Sequence, residues 1–189
     1  MRNFTRAAIA AALLAGVSTA VLAGAMLSPN PMVGGMAMMK SKDIVDNAVN
    51  SADHTTLVAA VKAAGLVDTL KGPGPFTVFA PTNEAFAALP AGTVDTLLKP
   101  ENKDTLTKVL TYHVVPGRLD SAALMRLIRE GGGKADLKTV EGGTLIAEMN
   151  GPKNIVLVDE KGDVASISTY DVYQSNGVIQ VIDKVEMPE

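Results

Sequence analysis

The sequence predicts an α+β fold, with N-terminal helices packed on a later set of mostly antiparallel strands. Three observations carry this. Apolar residues in the first part of the chain recur at helical spacing, as in Leu57, Val58, Val61 and Ala64. From Thr144 onward the pattern changes to short strand-like runs separated by glycine-containing breakers. Between these regimes lies Phe76-Thr77-Val78-Phe79, which presents apolar groups on both alternating faces and so suits a strand covered on each side. Helices first and strands later, with no internal repeat, indicate α+β rather than alternating βαβ units.

Composition narrows the function classes. The chain has 189 residues, enough for one domain and a leader, and 47% of them are hydrophobic. A net charge of -3 argues against nucleic-acid binding, which needs clustered positive charge. The chain contains no cysteine, so it has no disulfide framework, thiolate metal site or cysteine nucleophile.

In chain order, residues 1–25 have the form of a signal peptide. Arg2 and Arg6 precede the apolar run from Ala7 to Leu22, and Ala23-Gly24-Ala25 fits a small-residue cleavage site. The run is also long enough for an uncleaved anchor, which would be the only membrane contact. Residues 26–40, with Met32, Met36, Met38 and Met39 among glycines and prolines, are expected to form a flexible leader. Thioethers suit copper(I), but no histidine or cysteine joins the cluster and no metal is expected there. The domain is expected over residues 41–188. Ile44, Val45, Ala48 and Val49 begin its helices, and Gly65 ends the helix that carries Leu57.

Phe76 to Phe79 then forms the central strand. Pro81, without an N–H, is expected to stop the ladder. Thr82 caps the next helix, Asn83 and Glu84 enter its first turn, and Phe86 falls where it can staple against Pro81. Leu106, Val109 and Leu110 mark a further helix. Tyr112 to Val115 is expected to be a strand, placing Tyr112 inward and His113 outward or in a polar crevice. Asp120 or Ser121 caps a helix with Leu124, Leu127 and Ile128 inward, ended by Gly131-Gly132-Gly133. Strands follow at Thr144 to Met149, Ile155 to Asp159, Val164 to Val172 and Val178 to Val185. Asn176-Gly177 is expected to form a hairpin turn with both residues at positive φ.

Three segments resemble one known family. Phe76-Thr77-Val78-Phe79-Ala80-Pro81-Thr82-Asn83-Glu84-Ala85-Phe86 is similar to the first signature of fasciclin (FAS1) domains. Ser175 to Asp183 resembles the second, and Tyr112-His113-Val114-Val115-Pro116-Gly117 resembles the tyrosine–histidine segment between them. The resemblance runs from about Ser41 to Pro188 and implies a FAS1-like fold, with helices on a β-sandwich or wedge. It also implies a secreted or periplasmic, non-catalytic adhesion module, monomeric and associated with the cell surface. Its partner would be a cell-surface or matrix protein or polysaccharide, and Tyr112 and His113 would form the candidate adhesive segment. Gln180 stands where many members carry histidine.

The residues themselves offer little catalysis. His54 and His113 lack a nucleophile partner, His54 being expected as a solvated neighbour of a helix cap and His113, against the adhesive role, as a structural imidazole, buried or half-buried, that holds a backbone carbonyl or carboxylate. No Gly-x-Ser-x-Gly elbow exists. Asp159, Glu160 and Asp163 lack the glutamate of a calcium loop and are expected to form a solvated turn. No enzyme activity or cofactor is expected. The alternative to adhesion is a small-ligand carrier with an apolar crevice between helices and sheet, which would need a closed pocket rather than an exposed patch.

Overall fold

The computed structural model describes residues 30–189, so the signal peptide expected over residues 1–25 lies outside the described residues. The chain opens with β1 (Met32–Val33) and β2 (Met36–Ala37), joined through Gly34-Gly35. Both glycines have positive φ, as a two-residue hairpin requires. Val33 and Met38 are buried in the core, and the Asn30 side chain donates to the Tyr173 carbonyl at 2.6 Å. The flexible leader expected over residues 26–40 is therefore corrected for its described part, which is a docked hairpin.

Helices α1 (Ile44–Ala48), α2 (Thr55–Ala64) and α3 (Val67–Lys71) follow. Gly65, in the left-handed region, caps α2 as its spacing predicts. Strand β3 (Phe76–Pro81) leads into α4 (Asn83–Ala87), whose first turn Thr82 caps by accepting from Ala85 N at 3.2 Å. Pro81 does not stop the strand but is its last member, in register with Ile182. Phe79 N donates to His113 O, and Thr82 N, on the other side, donates to Ile182 O. Alternation sends the Pro81 nitrogen to the Phe79 side, where no neighbouring strand extends that far, so the missing N–H costs no ladder bond.

After α5 (Thr93–Leu97), α6 (Lys103–Tyr112) feeds β4 (Val114–Pro116). Helix α7 (Ser121–Glu130) is capped by Asp120, whose carboxylate accepts from Ala123 N at 2.8 Å. Five strands complete the chain: β5 (Lys134–Lys138), β6 (Thr144–Asn150), β7 (Asn154–Val158), β8 (Val164–Gln174) and β9 (Gly177–Ile182). Sequence patterning misses β5, whose Lys-Ala-Asp-Leu-Lys run alternates but carries only two apolar residues.

The expected sandwich or wedge is one seven-stranded sheet, in the order β4-β3-β9-β8-β7-β6-β5. Only β3 and β9 are parallel. The sheet is nearly closed, for the segment after β5 returns to β4, where Val140 N donates to Val114 O at 2.8 Å. Two cores result, one on each face of the β3–β9 pair. Val78, Ala80, Ile179 and Val181 face the helices α1, α2 and α6. Phe79 and Ile182 face the interior of the curled sheet, which α7 plugs with Leu124 and Ile128. The two-faced apolar run of β3 thus divides between two cores, as period-2 alternation requires.

Candidate functional site

The tyrosine–histidine segment sits where α6 ends. Tyr112 is the last helical residue, and His113 still has right-handed helical geometry. Strand alternation therefore does not govern this pair, and the expected strand begins only at Val114. The residues Tyr112 to Val115 favour strand intrinsically, but tertiary packing keeps the first two on the helix. Tyr112 is wholly buried inside the curled sheet. Its hydroxyl donates to Thr144 O at 2.8 Å and accepts from Glu160 N at 3.2 Å. Burial raises its pKa above the ordinary tyrosine range, so it stays a neutral donor.

His113 is buried too, at 3% exposure, and the expected outward placement is corrected. Its Nδ1 lies 2.8 Å from Val109 O, and its Nε2 lies 3.0 Å from Glu186 N. A carbonyl can only accept and an amide N–H can only donate. The ring is therefore the neutral tautomer with its proton on Nδ1, clamping the C-terminal tail to the end of α6. Burial lowers its pKa to about 4, opposed by the Val109 carbonyl and the Asp159 charge. Neither member of the pair is available as an adhesive contact in this fold.

Behind His113 lies a polar cluster that sequence reading missed. Asp159 is buried rather than solvated, and it accepts from Lys161 N, Asp163 N and Met187 N, each at 2.9 Å. Glu186 is buried beside it, with Oε1 unpartnered. Burial, followed by the Asp159 and Asp163 charges, raises the Glu186 pKa to about 9. The one signal in the sequence is an acid set among apolar neighbours at Val185-Glu186-Met187.

His54 is likewise buried rather than solvated, its Nδ1 2.8 Å from Ser51 Oγ. Burial lowers its pKa. Asn83 supplies the cap that His54 cannot. Its Oδ1 accepts from Thr56 N at 3.0 Å and Thr55 Oγ1 at 3.1 Å, and its Nδ2 donates to Ala52 O. Phe76 is half-buried and Phe86 buried in the helix-side core. Gln180 is buried and bonded, accepting from Asp171 N and donating to Leu119 O.

Asn176 and Gly177 act differently from expectation. Gln174 pairs with Gly177, so the two-residue loop is Ser175-Asn176, and neither Asn176 nor Gly177 has positive φ. Asn176 is a buried bracket. Its Oδ1 accepts from Ile44 N at 3.0 Å, and its Nδ2 donates to Leu70 O at 2.8 Å and Gly72 O at 3.0 Å. Gly177 is required by space, because a Cβ there would collide with the Phe76 carbonyl oxygen. Asn176→Val strands these groups and is expected to cost about 2–3 kcal/mol. A wild-type urea midpoint for this variant would contradict the bracket.

Two features remain for contact with other molecules. Met32, Met36 and Met39 are 65%, 47% and 54% exposed on and beside the docked hairpin. The crevice expected between helices and sheet exists as a cavity of about 80 Å³, walled by Val45, Leu57, Val61, Leu70, Leu110 and Ile179 among others. Among the described residues no group of acids and histidines could hold a metal ion.

Residues 52–188 match the family model described as the fasciclin domain. The chain is 48% identical over 145 residues to protein sll1483 of Synechocystis sp., an alignment covering 77% of this chain and 73% of that one. It is 34% identical over 160 residues to the cell surface glycolipoprotein MPB83 of Mycobacterium bovis, covering 82% and 64% respectively. The fold matches a FAS1 domain pair from the insect cell adhesion molecule fasciclin I. That match has a TM-score of 0.68 at 16% identity and covers 76% of this chain and 50% of that one.

Proposed function

The chain belongs to the fasciclin domain family, and on that premise we propose that it is an exported, non-catalytic binding module that holds to a protein surface through its methionine hairpin. The exposure of Met32, Met36 and Met39 carries this reading. Three large apolar side chains are exposed within eight residues, Met32 on one face of the hairpin and Met36 on the other, and apolar area of this kind is what a partner covers. The hairpin beneath them is anchored by Val33, Met38 and the Ala52 N to Gly34 O bond, so it presents them without first having to fold. Methionine is flexible and polarizable, and it is enriched in protein interfaces. This chemistry favours a protein partner over a polysaccharide. Tyr112 and His113 would then support the module from inside.

The test is retention of the purified mature protein on native envelope or matrix material. The triple variant Met32→Ser, Met36→Ser, Met39→Ser is expected to bind about thirtyfold more weakly, some 2 kcal/mol, a hot-spot-sized loss. Its melting temperature should not move, because the three side chains are exposed. Equal retention of both proteins would contradict the reading.

Export is part of the proposal. The arginine-led apolar leader supports it, as does the name of the cell surface relative, and no helix among the described residues is long and apolar enough to cross a membrane. The intact mass of the protein recovered from medium or periplasm is expected to correspond to a chain beginning near Met26. A full-length species confined to membranes would overturn this.

A further inference from the structure

We propose that Met32, Met36 and Met39 form a reversible oxidation site, at which a peroxide turns the exposed thioethers into sulfoxides and releases the partner held by the hairpin. This rests on the reading of the hairpin as a binding surface and adds its regulation by an oxidant.

The chain concentrates its accessible oxidisable groups on this hairpin. It has no cysteine and no tryptophan, so a two-electron oxidant meets thioether sulfur first. The described methionines divide by access. Met32, Met36 and Met39 stand about half exposed or more, whereas Met38, the immediate neighbour of Met39, is 6% exposed in the helix-side core. Met187 packs against that core, and Met125 and Met149 pack against the interior of the curled sheet. A peroxide must touch the sulfur to react, so the three hairpin thioethers are open to it and the others are covered.

The step is an oxygen-atom transfer. A sulfur lone pair attacks one peroxide oxygen, the O–O bond breaks and an S–O bond forms. Hydrogen peroxide is reduced to water, and the sulfur is oxidised by two electrons. A dithiol reductase reverses the step, its thiols closing to a disulfide while the sulfoxide oxygen leaves as water.

The fold does not lean on these three side chains. The hairpin is held by Val33, by Met38, by the Ala52 N to Gly34 O bond and by Asn47, whose side chain bonds both Met39 N and Met39 O. None of these anchors is an exposed sulfur. The contact surface, in contrast, changes its character. A sulfoxide is a strong dipole, and covering it without a hydrogen-bond donor carries a desolvation penalty. Met32 and Met36 lie on opposite faces of the hairpin, so a partner on either face meets a sulfoxide.

The purified mature protein is treated with hydrogen peroxide, the excess is removed with catalase, and the sulfoxides are located by peptide mass mapping. Met32, Met36 and Met39 are expected to be oxidised before Met38, Met125, Met149 and Met187. Binding of the oxidised protein to native envelope or matrix material is expected to weaken about tenfold, one decade of Kd, with an unchanged melting temperature. Sulfoxide reductases for both epimers, supplied with dithiothreitol, are expected to restore it. The variant Met32→Ser, Met36→Ser, Met39→Ser should lose nothing further on peroxide treatment. Oxidation of the covered methionines as fast as the exposed ones would overturn the site. Complete oxidation of the hairpin with undiminished binding, or a loss that the reductases do not reverse, would overturn the release, while weak binding of the serine variant would still support the binding surface. Equal binding of untreated wild type and serine variant would instead overturn the binding surface, and the release with it.

Discussion

Phe79→Ala is expected to lower the unfolding free energy by about 3–5 kcal/mol, the usual cost of deleting a buried aromatic ring. Phe79 is fully buried on β3, the strand between β4 and β9, and its ring enters the interior of the curled sheet. That interior is closed on one side by α7 through Leu124 and Ile128, and on others by Leu145, Ile155 and Leu157. Backbone ladders hold these walls, so they cannot collapse far into the space left by the ring, and the cavity term adds to the lost transfer energy. Phe76→Ala on the same strand should cost clearly less, because that ring is only half-buried against the helix-side core. Urea melts at one pH decide the matter. The expected result is a large midpoint drop for Phe79→Ala with an unchanged denaturant slope. Equal small drops for both would contradict the division into two cores.

What the sequence revealed was local, and what it concealed was long-range. The strand at Phe76, the caps at Thr82 and Asp120 and the stop at Gly65 each depend on residues within one turn of one another, and all stand in the structure. The large apolar body of Tyr112 predicts burial, and the residue is buried. Strand alternation misplaces His113 because the chain is still helical there, and the amide that bonds its Nε2, Glu186 N, lies 73 residues away. Asn176-Gly177 has the form of a hairpin turn, but the asparagine bonds Ile44, 132 residues off, and the glycine makes room for Phe76. No local pattern contains those partners. The methionine hairpin is a different case. Its residues read as a flexible leader, because strands of two residues on either side of Gly34-Gly35 are too short to show alternation. The cavity is a product of packing among helices and sheet, so apolar periodicity announced its walls and not the space between them.

Stability is expected to fall by about 3 kcal/mol from about pH 6.5 to about pH 9, through Glu186. The Glu186 pKa is raised from 4.5 to about 9 on folding, by burial and then by the Asp159 and Asp163 charges, with Lys184 opposing. Folded protein therefore keeps a proton that the unfolded chain has released. The contribution is complete below pH 4.5 and is lost as pH rises toward 9. His113 moves the other way, from 6.5 to about 4, because burial disfavours the imidazolium. Its contribution is complete above pH 6.5 and is lost as pH falls toward 4. Between 4.5 and 6.5 the two slopes oppose each other, with the lowered pKa of buried His54 adding to the histidine side, and above 6.5 the glutamate slope is unopposed by either histidine. Glu186→Gln keeps the shape of the protonated side chain and removes its titration. Urea midpoints measured across the range should show the alkaline limb flattened in the variant. The variant should also be more stable than wild type above pH 6.5, where the native glutamate pays to hold its proton. A variant with the same alkaline limb as wild type would mean that Glu186 is ionised in the folded protein, and that the Asp159 cluster accommodates both charges.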